Sequence, residues 1–390
     1  MKKYLVLTVT AGEGHNSIAK ALSSELSKNP DNKILQVDLF KRFASISKVK
    51  LIDSGYTMVC KFIPEIYNMV FRSLQKRKPE KRDSSIAQEV VKKETKKLLK
   101  HIEEENPDVV ICTHFFPAII LTNLRKEKKI DPNIKVVSIL FDYTVHPFFE
   151  CAIGVDYMIT PDKTLHPMLI KKGYKPEQLL DYGLPVNTVF SNNIEKSMVR
   201  SELGLKQDIF TVMIMLGGGG FGGTEKLVKK LLKCKTPIQI LVVNGKDKES
   251  KKRIDKLISK EGIIHTVHNY GYVNFVNKLM NASDLFTGKS GGVSVNESLN
   301  SNLPMALTEH LVAQEYDNML YLNRNNACIK LTNKYNLVDA VEDLSENTER
   351  LEELRKNIAK IKKPDATERI SKFCEHLALT NKKQKDANIS

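Results

Sequence analysis

One unit, used twice, limits the fold of this chain more than any other feature: a short apolar run, a glycine-rich turn and the start of a helix. Tyr4-Leu5-Val6-Leu7-Thr8-Val9 runs into "TAGEGHNSIAKAL" (10–22), and "IFTVMIML" (209–216) runs into "GGGGFGG" (217–223) and then "TEKLVKKLLK" (224–233). Apolar runs at 34–39, 108–112, 135–141 and 156–160, with helical patterns near 16–28, 85–105, 117–127 and 163–172, continue the alternation in the first half. Further runs at 238–244, 263–268, 284–287, 304–307 and 327–331 continue it in the second. Continuous rather than alternating apolar strands between helices predict parallel sheets covered on both faces. The expected fold class is therefore α/β, with two Rossmann-like domains facing across a cleft. Open parallel sheets bind ligands beyond the carboxyl ends of their strands, which is where both glycine loops fall.

The 390 residues, 41% of them hydrophobic, are enough for two cores. The coil "GLPVNTVFSNNIEKS" (183–197) reads as the connection between them. The expected division is 1–190, then 200–365, then a helix at 366–390 that packs back towards the first domain and ends in a basic tail. No apolar run is long enough to span a bilayer, and the N-terminal residues read as a strand rather than a signal peptide. Six scattered cysteines with no C-x-x-C pair read as reduced thiols of a cytosolic protein, and no histidine spacing fits a metal, so none is expected.

The charge is uneven. Of a net +15, a surplus of 10 falls in residues 41–100, which hold 16 Lys and Arg against 6 Asp and Glu. Within that stretch isolated charges alternate with apolar and aromatic residues. Two readings stand: a surface helix pair with solvated lysines, or a segment lying on an anionic phospholipid surface. In the second, Phe62, Ile63, Tyr67, Phe71 and Leu74 insert while Arg72, Lys76, Arg77 and Lys78 meet headgroups. No nucleic-acid motif or base-stacking set accompanies the charge, so nucleic acid is not an expected partner.

Neither glycine loop closes with the G-K-[ST] of a phosphate-binding P-loop, and "GEGH" lacks the third glycine of a dinucleotide fingerprint. Asp38 alone keeps a dehydrogenase in view. The densest cluster lies later. A strand at 284–287 ends in Gly288-Lys289-Ser290-Gly291-Gly292, and a helix carrying Glu297 follows. Backbone N–H groups and the helix dipole there suit a diphosphate. Glu297, one to two turns along, is in reach of ribose hydroxyls. The loop after the next strand carries Gln314, Glu315 and Asn318, a polar trio suited to sugar hydroxyls.

These pieces together resemble the two-domain nucleotide-sugar glycosyltransferases of the monogalactosyldiacylglycerol synthase and processive diacylglycerol glucosyltransferase type (GT-B). "TAGEGHNSIAKAL" resembles the family's opening loop and "DYGLPV" the element before its linker. "VVNGK" resembles the strand after the donor-domain glycine loop. "GYV…LM..SDLFTGKSGGVSVNES…LP" resembles its donor-binding core, and "QEYDN" its Q-E-x-x-N segment. Ser290 stands where the lipid enzymes usually have proline. The resemblance implies an inverting, metal-independent transfer from a UDP-sugar co-substrate, with no cofactor. It implies uracil against the backbone of Gly271, Tyr272 and Val273, diphosphate over Ser290, Gly291 and Gly292, ribose on Glu297, and hexose on Gln314 and Glu315. The loop Gly217, Gly218, Gly219 and Gly220 would face the sugar phosphates.

Such a transfer needs a base for the acceptor hydroxyl. His15, beside the turn made by Gly12 and Gly14, is the preferred group, with Asp142, followed by His146, as its rival. His114 would line the acceptor side. The expected function is hexose transfer from a UDP-hexose to diacylglycerol or a glycosyl-diacylglycerol, by a cytoplasmic protein peripherally attached to the inner face of the cell membrane. The alternatives are a polyprenyl-linked or soluble acceptor, or a non-catalytic UDP-sugar sensor.

Overall fold

The computed structural model describes residues 1–10, 13–44, 64–76, 85–192, 194–217, 223–308 and 312–387. Gly12, Phe62, Ile63, Arg77, Lys78, Gly218, Gly219 and Gly220 lie outside them. The chain divides into two compact units, Met1–Asn187 with Asp365–Ser390, and Thr188–Pro364. Each is built on one six-stranded sheet in which every pairing is parallel.

In the first unit the strands are β1 (Lys2–Thr8), β2 (Asn32–Asp38), β3 (Val109–Cys112), β4 (Lys135–Ile139), β5 (Tyr157–Ile159) and β6 (Leu179–Leu180), in the spatial order β2-β1-β3-β4-β5-β6. Tyr4, Leu5, Val6 and Leu7 are all fully buried, as a strand with helices on both faces requires. The helix Ala366–Ala387 belongs to this unit. It packs on the helix Gly14–Leu26 and on β1, β3 and β4. Thr367 donates its hydroxyl to the Val186 carbonyl at 2.6 Å, and Asn29 and Asn32 donate to Glu375 Oε1 at 2.7 and 2.8 Å.

In the second unit the strands are β7 (Thr211–Met215), β8 (Gln239–Val243), β9 (Thr266–Tyr270), β10 (Leu285–Gly288), β11 (Met305–Thr308) and β12 (Cys328–Leu331), in the order β12-β11-β10-β7-β8-β9. The helix Lys196–Glu202, in the stretch that the sequence reads as linker and its end, is part of this unit. Lys196 and Arg200 reach Asp284 at 2.5 and 2.7 Å, and Asp284 also accepts from the Thr211 amide at 2.8 Å. Burial raises the Asp284 carboxyl, but Lys196, Arg200 and the Thr211 amide outweigh it and hold the group below the usual carboxylate range, with Arg355 a further partner at 3.8 Å.

Both sheets reverse their strand order once, and there the positions of the glycine loops acquire meaning. From β1 the chain passes to β2 on one side and later returns to β3 on the other. From β7 it passes to β8 and β9, then returns to β10. At such a switch the loops leaving two neighbouring strands part in opposite directions and leave a crevice at the carboxyl ends. Val9, Thr10 and Glu13 with Thr113 and His114 flank the first crevice, and Leu216, Gly217 and Gly223 with 289–291 the second. At the second, Gly288 of β10 lies beside Met215 of β7, and a Cβ on Gly288 would stand 2.2 Å from the Met215 carbonyl oxygen. The obstacle is backbone, so no rotamer change can relieve it. Gly288→Ala is expected to cost about 3 kcal/mol or more, lowering the melting temperature of the second unit by roughly 6–12 °C. A thermal scan with an unchanged midpoint would refute this.

Candidate active site

The glycine turn of the first unit starts the helix Gly14–Leu26, so His15 stands in its first turn, at the β1 end of the switch. It is 6% exposed, and its Nδ1–H donates to the Thr113 carbonyl, 2.5 Å away on the far side of the switch. A peptide carbonyl can only accept, so Nδ1 carries the proton and Nε2 keeps a lone pair. Two more imidazoles are fixed in the opposite sense. His114 caps the helix Phe115–Lys126 by accepting from Phe116 N at 3.1 Å, and His146 caps the turn Pro147–Cys151 by accepting from Phe148 N at 3.3 Å. In their neutral forms both then carry the proton on Nε2.

Burial lowers the pKa of all three histidines: His15 to about 4, opposed by the Thr113 hydrogen bond; His146 to about 3, helped by His15 and Lys172; and His114 well below the usual range, helped by His15 and His146. All three are therefore neutral at physiological pH. Of these three, only His15 presents a basic Nε2.

Aromatic rings enclose the group. His15 contacts His114 and Phe141 with ring centroids at 4.4 and 4.2 Å, His114 contacts Phe115 at 4.1 Å, and Phe115 stacks on His146 at 4.4 Å. Asp142, next to Phe141, is 8% exposed. The hydrogen bond that fixes the His15 ring is donated to the Thr113 carbonyl. Asp38 caps the helix Leu39–Phe43 through the amides of Phe40 and Lys41 and accepts from the Thr10 hydroxyl. It is thus engaged as a cap.

The helix Pro64–Gln75 docks beside this cluster, and here one expectation needs correcting. Phe71, read as an inserted side chain, is 4% exposed and packs on His146 at 5.4 Å. Gln75 on the same helix donates to Thr144 Oγ1 at 2.9 Å. With that face turned inward, Ile66, Met69 and Val70, spaced i, i+3, i+4, are the exposed apolar residues at 51, 66 and 48%.

In the second unit Gly291 caps the helix Gly292–Asn300, directly after β10. Gly217, with φ +90°, opens the other side of the switch. Gly223, not Thr224, is the N-cap of the helix Thr224–Leu231, because its left-handed φ of +97° turns the glycine loop into the helix. Glu297 lies on the Gly292–Asn300 helix, and burial pushes its pKa up to about 8.

Ser290 and Asn318 are tied into the protein by their side chains. Both are fully buried: Ser290 donates its hydroxyl to the Glu315 carbonyl at 2.6 Å, and Asn318 donates to the Ser290 carbonyl at 2.7 Å. Lys289 pairs with Glu315 at 3.8 Å, opposing the rise that burial gives the Glu315 carboxyl. Gln314 and Glu315 are partly buried in the first turn of the helix Ala313–Arg324. Tyr272 is 73% exposed just beyond β9, so its backbone rather than its ring is what the fold fixes. Asn244, in the "VVNGK" strand, holds that region by donating to Asn269 Oδ1 at 2.7 Å and to the Tyr270 carbonyl at 2.9 Å. Asn244, Thr113 and Phe141 join the site through contacts that their places in the sequence do not signal, although Asn244 lies within "VVNGK". Among the described residues no three His, Cys, Asp or Glu are grouped to hold a metal ion, and no helix is long and apolar enough to cross a membrane.

Gly291 separates binding from folding. Its φ and ψ of −64° and 141° are open to any residue, and a Cβ there would meet no atom within 4 Å. Gly291→Ala should leave the melting temperature within about 1 °C, since unstrained surface changes fall within ±0.5 kcal/mol. If the loop holds the diphosphate that its sequence suits, the same change should weaken UDP at least about tenfold, a loss of 1.4 kcal/mol, by placing a methyl group in the anion's path. Equal affinity in calorimetry would show that no anion sits there.

Comparison with known proteins matches the two stretches of chain to two family models. Residues 15–186 match the family model of monogalactosyldiacylglycerol (MGDG) synthase, and residues 211–370 that of the glycosyltransferase family 28 C-terminal domain. A processive diacylglycerol beta-glucosyltransferase of Bacillus cereus (strain AH187) is 24% identical over 372 residues, 94% of this chain and 92% of that protein. Among solved structures, Acinetobacter baumannii MurG gives a TM-score of 0.62 at 12% identity, covering 96% of this chain and all of its own. Staphylococcus aureus MnaA, solved with UDP, gives 0.61 at 16% identity, covering 95% of each chain. The fold is GT-B, and the chain belongs to the glycosyltransferases of the MGDG synthase and processive diacylglycerol glucosyltransferase type.

Proposed function

We propose that the protein transfers a hexose, with inversion and without a metal ion, from a UDP-sugar to diacylglycerol or a glycosyl-diacylglycerol at the inner face of the cell membrane. The observation that carries this reading is the fixed tautomer of His15: an uncharged imidazole with a free Nε2 lone pair, at the strand-order switch of the domain that matches MGDG synthase. On this reading Nε2 takes the proton of the acceptor hydroxyl, whose oxygen bonds to the anomeric carbon from the face opposite the diphosphate. The bond from that carbon to the phosphate oxygen breaks, and UDP leaves with the electron pair. The N-terminus of the helix Gly292–Asn300 and Lys289 meet the charge that develops on it. Glu297 holds the ribose, the backbone around Tyr272 and Val273 the uracil, and Gln314 and Glu315 the hexose. Phe141, Phe115 and the neutral histidines give an uncharged, apolar surround that suits a lipid hydroxyl. Diacylglycerol as the acceptor is supported by the names of the curated relatives.

The test is UDP release from a panel of UDP-hexoses, with and without vesicles of diacylglycerol and anionic phospholipid. Wild type should turn over with vesicles, and His15→Ala should lose about 10²–10⁴-fold, the range for a general base. Because the base works in its neutral form and burial holds it near 4, kcat/KM should stay level from about pH 7 to about 5 and fall on the acid side only near pH 4. An acid limb at the ordinary histidine value of 6.5 would rule His15 out as that base. Donor binding without turnover on any lipid would move the assignment to another acceptor or to a UDP-sugar sensor.

Attachment to the membrane is assigned to the exposed face of the helix Pro64–Gln75. Replacing Ile66, Met69 and Val70 together with serine should reduce binding to anionic vesicles at least about tenfold, given 1.5–3 kcal/mol for each side chain fully buried. Stability should be unchanged, because all three side chains face solvent. Undiminished sedimentation with vesicles would remove this face from the membrane contact.

A further inference from the structure

Asn318 is spaced as if to read the sugar, yet it is fully buried and donates to the Ser290 carbonyl at 2.7 Å. That bond fixes the direction of a peptide plane. Across a trans peptide the carbonyl of one residue and the N–H of the next point in opposite directions. With the Ser290 carbonyl drawn inward to Asn318, the Gly291 N–H is turned outward, at the N-cap of the helix Gly292–Asn300. Gly291 faces open space on the side where a Cβ would be. A second bond stops the same residue from rotating back, since Ser290 Oγ donates to the Glu315 carbonyl at 2.6 Å.

We infer that Asn318 is a positioning residue for the diphosphate rather than a reader of the hexose: with Ser290 it locks the Ser290–Gly291 peptide so that the Gly291 N–H is aimed at the β-phosphate. The inference rests on reading 288–292 as the diphosphate loop. Both locking bonds end on the helix Ala313–Arg324, the element that also carries Gln314 and Glu315. The phosphate loop and the segment assigned to the hexose are thereby one rigid piece, so the leaving group and the sugar cannot shift independently.

The experiment is calorimetric titration of wild type, Asn318→Ala and Ser290→Ala with UMP, UDP, UDP-glucose and inorganic pyrophosphate. Asn318→Ala is expected to weaken UDP and UDP-glucose by the same factor, about tenfold for one charge-assisted hydrogen bond misdirected. UMP, which has no β-phosphate, should bind unchanged, and this also shows that the variant is folded. Ser290→Ala, which keeps the Asn318 bond and loses only the second tie, should show the same pattern at about two- to threefold. It decides the matter if Asn318→Ala does not fold. Loss confined to UDP-glucose would make Asn318 a hexose reader and overturn the inference. Equal loss of UMP, or no loss of UDP, would overturn it too. Pyrophosphate separates this inference from the reading beneath it. A wild type that ignores UDP but binds pyrophosphate, with the same loss in the variants, would refute the UDP donor and leave the peptide lock standing. A wild type that binds neither refutes both.

Discussion

The second unit depends on two backbones passing close enough to exclude a side chain. Gly288 and Met215 lie side by side where the strand order reverses, and the 2.2 Å from a notional Cβ to the Met215 carbonyl leaves glycine as the residue that fits without moving a strand. Because β10 can end hard against β7, its continuation enters the Gly292–Asn300 helix within three residues. The helix N-terminus thereby comes to the crevice between the two strands' loops. The first unit meets the same topological condition differently. Cys112, not glycine, ends β3, and the imidazole of His15 reaches the carbonyl of the following residue, Thr113. One switch is closed by direct backbone contact and left open for an anion; the other is closed by a side chain that is left with a lone pair.

The two units also differ in how they treat charge. Burial keeps three histidines of the first unit neutral, each with a single ring proton, and phenylalanines pack against them, so that this cluster is polar in its hydrogen bonding and uncharged in its imidazoles. The second offers Lys289 and the dipole of a helix. On the proposed reading, a neutral lipid hydroxyl and a nucleoside diphosphate make these two different demands.

Much of this was legible in the sequence, because what it rests on is local. Apolar runs mark all the strands but the two-residue β6, and both glycine loops fall at the ends of β1 and β7. What the sequence could not give were directions fixed by distant partners. The Pro64–Gln75 helix is apolar on more than one side, and only its docking on His146 through Phe71 decides that Ile66, Met69 and Val70 remain outside. Gln314 and Asn318 sit one above the other at i and i+4, and nothing in that spacing reveals that the second points at the Ser290 carbonyl. The stretch 183–197 reads as coil because of its asparagines and proline, but Asp284, nearly ninety residues away, pairs with Lys196 and Arg200 and ties the helix they begin to the second sheet.

On the proposed reading, two glutamates accompany a diphosphate loop, although a phosphate group is repelled by carboxylates. The structure answers it separately for each. Glu315, on the neighbouring helix, has Lys289 at 3.8 Å, and that ammonium opposes the rise that burial gives its pKa. Glu297 is left to burial, which raises its pKa to about 8 and keeps the proton on at neutral pH while the site is empty. A neutral carboxyl presents no field to an arriving anion, yet it still offers one oxygen to accept from a hydroxyl and an O–H to donate. Placed one to two turns along the helix, it can therefore bind a neutral sugar without opposing the charged group that the same helix draws to its N-terminus. Burial here keeps a recognition group compatible with the charge of the ligand it serves, as it does for the imidazoles of the first unit.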